Sequence, residues 1–263
     1  MEALPNLSEP RLAEAIGRMG GEGFEAALWE LFLAVARPDN LIILGYRDAG
    51  PPLVLYRRFT HRQVFAELES TYLAGAFRLD PYYELHRQRA PEGVYRLRDI
   101  APDAFHRSRY FIEYYDQTTL QDEITFVVWP APGVCLNLCL GRDATSGRAF
   151  SGAEMEVCQR LGPVIAALAR GHWRGIAQSV GPAEDTAGVL AQSAAARHGI
   201  VLSPRQAEVA LLILRGHSTM SIGLRLGVSP QTVKVFRKQL YARCGISSQA
   251  ELFALMLPLL KAG

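Results

Sequence analysis

Residues 202–257 read LSPRQAEVALLILRGHSTMSIGLRLGVSPQTVKVFRKQLYARCGISSQAELFALML, and the fold is decided here. Ser203 followed by Pro204 is a helix start, a side-chain cap and then a residue that needs no N–H partner. Val209, Leu212 and Ile213 give that helix an apolar stripe, and Gly216 stops it. Ser218 caps a second, short helix carrying Ile222 and Leu226. Gly227-Val228-Ser229 is a tight turn, and Ser229 caps a third helix from Pro230 to Arg243, ended by Gly245. Ser247 or Ser248 begins a fourth, from Gln249 to Leu257.

Two short helices joined by a glycine-containing turn make a helix-turn-helix, whose second helix lies in a DNA major groove. The residue types suit that task. Val233 and Leu240 point inward at i and i+7, while Lys234, Arg237 and Lys238 lie on the other side and reach phosphates and base edges. Ser229 and Thr232 stand at the helix start, where hydroxyls and free backbone N–H groups suit phosphate. Three basic residues in five positions would be unremarkable on any surface helix. The order of caps, turn and flanking helices is what points to double-stranded DNA.

Over about residues 200–260 the chain resembles the LuxR-type DNA-binding domain. The matching residues are Leu202-Ser203, Arg205, Glu208-Val209, Gly216, Ser218, Ile222, Leu226-Gly227-Val228-Ser229, Thr232-Val233-Lys234 and Gly245-Ile246. The resemblance implies that Lys234, Val235 and Lys238 face bases, that Glu208 ties the first helix to the rest, and that the fourth helix carries homodimer contacts. RNA polymerase is then a candidate partner. The chain departs from the family at Thr219-Met220-Ser221, where Asn-Lys-Glu is usual, and at Phe236, where His is frequent. Met220 cannot make the phosphate contact of the usual lysine.

Charge and composition agree with this reading. From Arg197 onward there are nine basic against two acidic residues, net +7, while the preceding part carries 19 basic against 24 acidic, net −5. A basic segment joined to an acidic one suggests a nucleic-acid contact at one end. All three lysines (Lys234, Lys238, Lys261) lie near the C-terminal end, so residues 1–233 hold neither a phosphate-binding GK[ST] loop nor a Schiff-base lysine. Cys135, Cys139, Cys158 and Cys244 form no CxxC pair, and no HExxH or GxSxG motif occurs. We expect no enzyme, no metal site and no cofactor. With 49% hydrophobic and 21% charged residues, no apolar run of spanning length and no basic-then-apolar leader, we expect a cytoplasmic protein without membrane contact.

Upstream, Phe24, Ala27, Leu28, Leu31, Phe32 and Val35 recur at helical spacing. Leu41–Tyr46 and Leu53–Tyr56 read as paired strands. Thr60 with Gln63 reads as a capping box opening a helix through Val64, Phe65, Leu68, Tyr72, Leu73 and Phe77, broken by Asp80-Pro81. A short strand is expected near Val94–Leu97 and a helix over Pro102–Tyr115. Ile124–Trp129 and Val134–Leu140 form a hairpin with Cys135, Asn137 and Cys139 on one face. Ser151 with Glu154 caps a helix through Leu168. The order describes an α+β domain, an antiparallel sheet with packed helices, as in PAS and GAF sensor domains. An all-α four-helix domain follows. We expect a sensing and dimerisation domain at 1–177, a linker at 178–199 that is helical only toward its end, and the DNA-binding domain at 200–263.

Aromatic residues crowd positions 72–129. We select Tyr72, Phe77, Asp80, Tyr83, Tyr95, Tyr110, Tyr114, Phe126 and Trp129 as a candidate ligand site. Arg78, Arg96, Arg98 and Arg109 beside Asp80, Asp116, Asp122 and Glu123 would match a ligand of either charge. Asp80-Pro81 resembles the acid–Pro element of acyl-homoserine lactone receptors, but the tryptophans of that pattern are missing. A small polar or aromatic ligand is therefore expected rather than a long acyl chain. The alternative is a front half that serves as an interaction or dimerisation platform without a ligand.

Overall fold

The computed structural model describes residues 8–48, 50–176 and 184–260. In chain order its elements are α1 (Ser8–Arg18), α2 (Phe24–Val35), β1 (Asn40–Arg47), β2 (Leu53–Phe59), α3 (Pro81–Arg87), β3 (Gly93–Arg96), α4 (Leu97–Ile100), α5 (Arg109–Glu113), β4 (Leu120–Ala131), β5 (Val134–Asp143), α6 (Gly152–His172), α7 (Thr186–His198), α8 (Pro204–Leu214), α9 (Thr219–Leu226), α10 (Pro230–Cys244) and α11 (Gln249–Met256). The described residues within 1–64, 85–100 and 119–182 form one compact unit, and those within 65–84, 101–118 and 183–263 another.

The first unit is built on an antiparallel sheet of order β2-β1-β5-β4-β3. Period-2 alternation sends Leu41, Ile43, Ile124, Phe126, Val128, Leu136, Leu138 and Leu140 to one face, where they pack with α2 and α6. The expected capping box starts α6: the Glu154 N–H donates to Ser151 Oγ at 3.2 Å, and the Ser151 N–H to Glu154 Oε2 at 2.7 Å. The opposite face carries Ile42, Leu44, Tyr46, Thr125, Val127, Cys135, Asn137 and Cys139, all buried. Four of those, Thr125, Cys135, Asn137 and Cys139, are polar or sulfur-bearing.

In the second unit, residues 65–84 and 101–118 pack with α7–α11. The expected helix through residues 64–77 is absent. A 3-10 turn at Arg62–Phe65, a π turn at Leu68–Tyr72 and a 3-10 turn at Ala76–Leu79 replace it. Ser70 and Thr71 both donate to Glu67 Oε2, at 2.7 and 2.8 Å. Such local side-chain bonds compete with a regular helix. Thr60 caps nothing and donates to the Asp39 carbonyl at 3.4 Å. The helix expected over Pro102–Tyr115 is cut by Ser108, whose side chain accepts from the Phe111 N–H and starts the short α5 afresh. Within the expected linker, residues 178–183 lie outside the described residues, and α7 begins at Thr186 with Asp185 as its cap.

α11 also corrects an expectation. The homodimer contacts that the resemblance implies for this helix would need an outward apolar side, such as Phe253. Instead Leu252, Phe253 and Met256 are all buried, because the helix packs on α8 and also on α5 of the same unit.

Candidate nucleic-acid interface and aromatic cluster

The helix-turn-helix is α9 and α10. Gly227 closes α9 at φ 65°, a left-handed conformation that favours glycine. A Cβ at Gly223 would stand 2.8 Å from the Val228 carbonyl, so glycine lets the turn fold back on α9. Ser218 accepts from the Ser221 N–H at 3.2 Å, and Ser229 from the Thr232 N–H at 3.1 Å. These caps place both helix starts. Val233 and Leu240 are buried as expected, and this orients α10.

Lys234, Val235 and Lys238 are consequently exposed on one side of α10, with Val235 46% exposed. Arg237 is half-buried, its guanidinium 5.1 Å from the centre of the Tyr241 ring. Ser229 is exposed, Thr232 is half-buried, and their hydroxyls lie 2.8 Å apart. Exposed cations around an exposed aliphatic side chain can meet phosphates, base edges and a thymine methyl. Met220 is exposed at the start of α9. Glu208 pairs with Arg205 in its own helix at 2.7 Å, rather than tying that helix to the others.

Six of the nine candidate ligand residues meet in the second unit. Tyr72 donates its hydroxyl to Asp80 Oδ2 at 2.7 Å, and the Tyr82 N–H donates to Asp80 Oδ1 at 2.8 Å. Tyr72 stacks on Tyr114 at 5.8 Å and Tyr114 on Tyr110 at 5.4 Å, while Phe77 meets Tyr83 edge-on at 5.0 Å. The other three stand in the first unit. Phe126 is in the sheet core against Phe32 at 5.3 Å. Tyr95 donates to the Pro91 carbonyl at 2.8 Å. Trp129 donates its Nε1–H to the Ala90 carbonyl at 2.9 Å and stacks on His86.

The sequence reading put Asn137 on a strand face with Cys135 and Cys139 without selecting it, and missed His86 and Thr125. Asn137 and Thr125 are 0% exposed on the face of the sheet opposite α2 and α6. Their signal was available, since both are polar residues one position out of phase with the apolar alternation. The four arginines offered for ligand charge all stand against acids: Arg78 with Glu184, Arg96 with Asp122, Arg98 with Asp99 and Arg109 with Glu113. They balance the protein's own carboxylates.

Among the described residues Asp80 has no such cation. Burial pushes its carboxyl from 3.8 up to about 6, against the bonds from Tyr72 and Tyr82. The folded chain then holds this proton more tightly than the unfolded chain. Stability from this group is present below pH 3.8 and falls as pH rises to about 6. The loss is roughly 3 kcal/mol. Denaturant titrations from pH 4 to pH 7 are expected to show this component in the wild type and not in Asp80→Asn. Parallel curves would rule it out. His86 moves the opposite way, to about 4, through burial and then Arg89, so its ring is neutral above that pH.

Among the described residues no helix is long and apolar enough to cross a membrane, and no group of three or more His, Cys, Asp or Glu is placed to hold a metal. Residues 200–256 match the family described as bacterial regulatory proteins, luxR family. The chain is 31% identical over 185 residues to a protein of Aeromonas salmonicida described as an HTH-type transcriptional regulator in the exeN 3′ region. That alignment covers 68% of this chain and 93% of the relative. The fold is similar to the crystal structure of the VqsR LBD domain from Pseudomonas aeruginosa, with a TM-score of 0.54 and 23% identity over 64% of this chain and 96% of that one. The capped helix-turn-helix, the family match and the relative covered almost end to end agree: the chain belongs to the LuxR family of bacterial regulatory proteins and is a DNA-binding transcriptional regulator.

Proposed function

We propose that this regulator is dimeric and responds to a small polar or aromatic molecule. Residues 1–177 sense and dimerise, 178–199 connect, and 200–263 bind DNA. The observation that carries the reading is Asp80, a half-buried carboxylate that accepts from the Tyr72 hydroxyl and the Tyr82 N–H and has no basic partner among the described residues. A half-buried acid without a cation among the described residues, beside stacked rings, is a poor structural element and a good acceptor for a ligand N–H or O–H.

A route from that cluster to the DNA-binding helices lies within one unit. Arg78, between Phe77 and Asp80 in sequence, donates to Glu184 Oε2 at 2.8 Å and to the Leu260 carbonyl at 2.6 Å. Its own carbonyl accepts from Arg215 Nε at 3.2 Å, and Arg215 pairs with Glu84 at 2.6 Å. A ligand that favours one arrangement of this network shifts the population of DNA-competent chains by its differential affinity.

Native mass spectrometry of the purified chain tests the reading directly, through a co-purified small molecule. If none is found, and no metabolite in a thermal-shift panel raises the melting temperature of the wild type more than that of Tyr72→Phe, the interaction-platform reading replaces it. On the DNA side, Lys238→Ala is expected to weaken specific binding by about 1–3 kcal/mol and to relax sequence preference, as loss of a base-edge contact does. Unchanged affinity and preference in a binding-site selection would remove Lys238 from the reading surface.

A further inference from the structure

A cleft of about 310 Å³ opens in the second unit beside α10. Its walls include Ala104 and Arg107 from the segment before α5, His217 and Thr219 at the start of α9, and Val233 and Arg237 of α10. No aspartate or glutamate lines it. Arg107 is exposed and Arg237 half-buried, and among the described residues neither has a carboxylate partner. Arg78, Arg96, Arg142, Arg205 and Arg215 all do. Two guanidinium groups line one cleft whose walls hold no acidic side chain, and together they carry ten N–H donors for an outside acceptor. Planar forks of this kind match phosphate oxygens.

The position of the cleft selects the phosphate. The first helix of a helix-turn-helix crosses the DNA backbone while the second enters the groove. This cleft joins the start of that first helix to Arg237, which lies one turn along α10 from Lys234. We infer that the cleft seats a phosphate of the DNA backbone, and that Arg107, outside the 200–256 stretch matched to the family, is part of the DNA interface. This rests on the chain being a DNA-binding regulator. Asp103 supplies an internal contrast, because its carboxylate accepts from the Ser218 N–H at 2.9 Å near the cleft and opposes an incoming phosphate.

The test uses the full chain and a mixed-sequence 30-base-pair duplex, with affinity followed by anisotropy between 50 and 200 mM salt. Arg107→Gln is expected to weaken binding and to lower the log–log salt slope by about 0.9, so that its affinity falls roughly three- to fourfold less than the wild type's over that range. Arg107→Lys should restore the slope, and Asp103→Asn, which keeps the acceptor oxygen, should tighten binding at 50 mM salt. A wild-type slope in Arg107→Gln overturns the inference. So does stabilisation of the wild type, but not of Arg107→Gln, by inorganic phosphate alongside that unchanged slope, since the cleft would then serve a free anion. A wild-type chain that binds no duplex would instead unseat the DNA-binding reading itself.

Discussion

Asp122→Ala is expected to destabilise the first unit by about 3–5 kcal/mol, the cost of leaving a buried charge without its partner. Asp122 and Arg96 are 6% and 3% exposed. Arg96 Nε donates to Asp122 Oδ1 at 3.0 Å, its Nη2 donates to Oδ2, and Nη2 also donates to the Phe150 carbonyl at 2.7 Å. The Phe150 N–H returns to Asp122 Oδ2 at 2.8 Å. One carboxylate thus fixes the β3–β4 pair to the segment that leads into α6. Removing it strands both a guanidinium and a backbone N–H away from water. Asp122→Asn keeps one acceptor and should cost less. Replacing both partners, as in Arg96→Met with Asp122→Leu, should recover much of the loss, since no charge is left buried. All three tryptophans (Trp29, Trp129, Trp173) belong to this unit, so urea titration followed by tryptophan fluorescence reads it selectively. A loss below 1 kcal/mol for Asp122→Ala would show that the pair is not a structural tie.

The C-terminal helices were legible because each carries its own punctuation. Ser203, Ser218, Ser229 and Ser248 cap the four helices, and Gly227 and Gly245 end two of them in the left-handed conformation. Local chemistry alone fixes those boundaries. The sheet was legible for the same reason, since alternation needs no knowledge of distant residues. Residues 62–79 and 102–118 were not. Their apolar spacing suggests helices, but competing side-chain bonds to Glu67 and Ser108 break them, and they pack on α7–α11 far along the chain.

The candidate ligand residues divide along the same line. Tyr72, Phe77, Asp80, Tyr83, Tyr110 and Tyr114 were chosen for type and proximity in sequence, and the structure gathers them. Phe126 was chosen by the same rule and stands in the core, as its phase in β4 with Ile124 and Val128 already indicated. Arg107 carried no signal at all. Only the fold brings its segment to a cleft shared with α9 and α10.

The largest change is expected at Phe253. Read as a helix wheel, α11 is apolar all round, with Leu252, Phe253, Leu255, Met256 and Leu257, and a wheel cannot say what covers the second side. Here α11 packs against both α8 and α5, and Phe253 is 2% exposed. Phe253→Ala should therefore cost about 3–5 kcal/mol, the range for emptying a buried aromatic site. Phe253→Glu should cost more, because it also places a carboxylate where no partner waits. The expected result is a lowered thermal transition in the far-ultraviolet circular dichroism of the helical unit, with DNA binding lost through unfolding. An interface residue would behave differently. Phe253→Glu would then keep its full helical signal and melting temperature and change only its sedimentation, from dimer to monomer. That second pattern would mean that α5 leaves α11 in solution and that the helix meets another copy of the chain there.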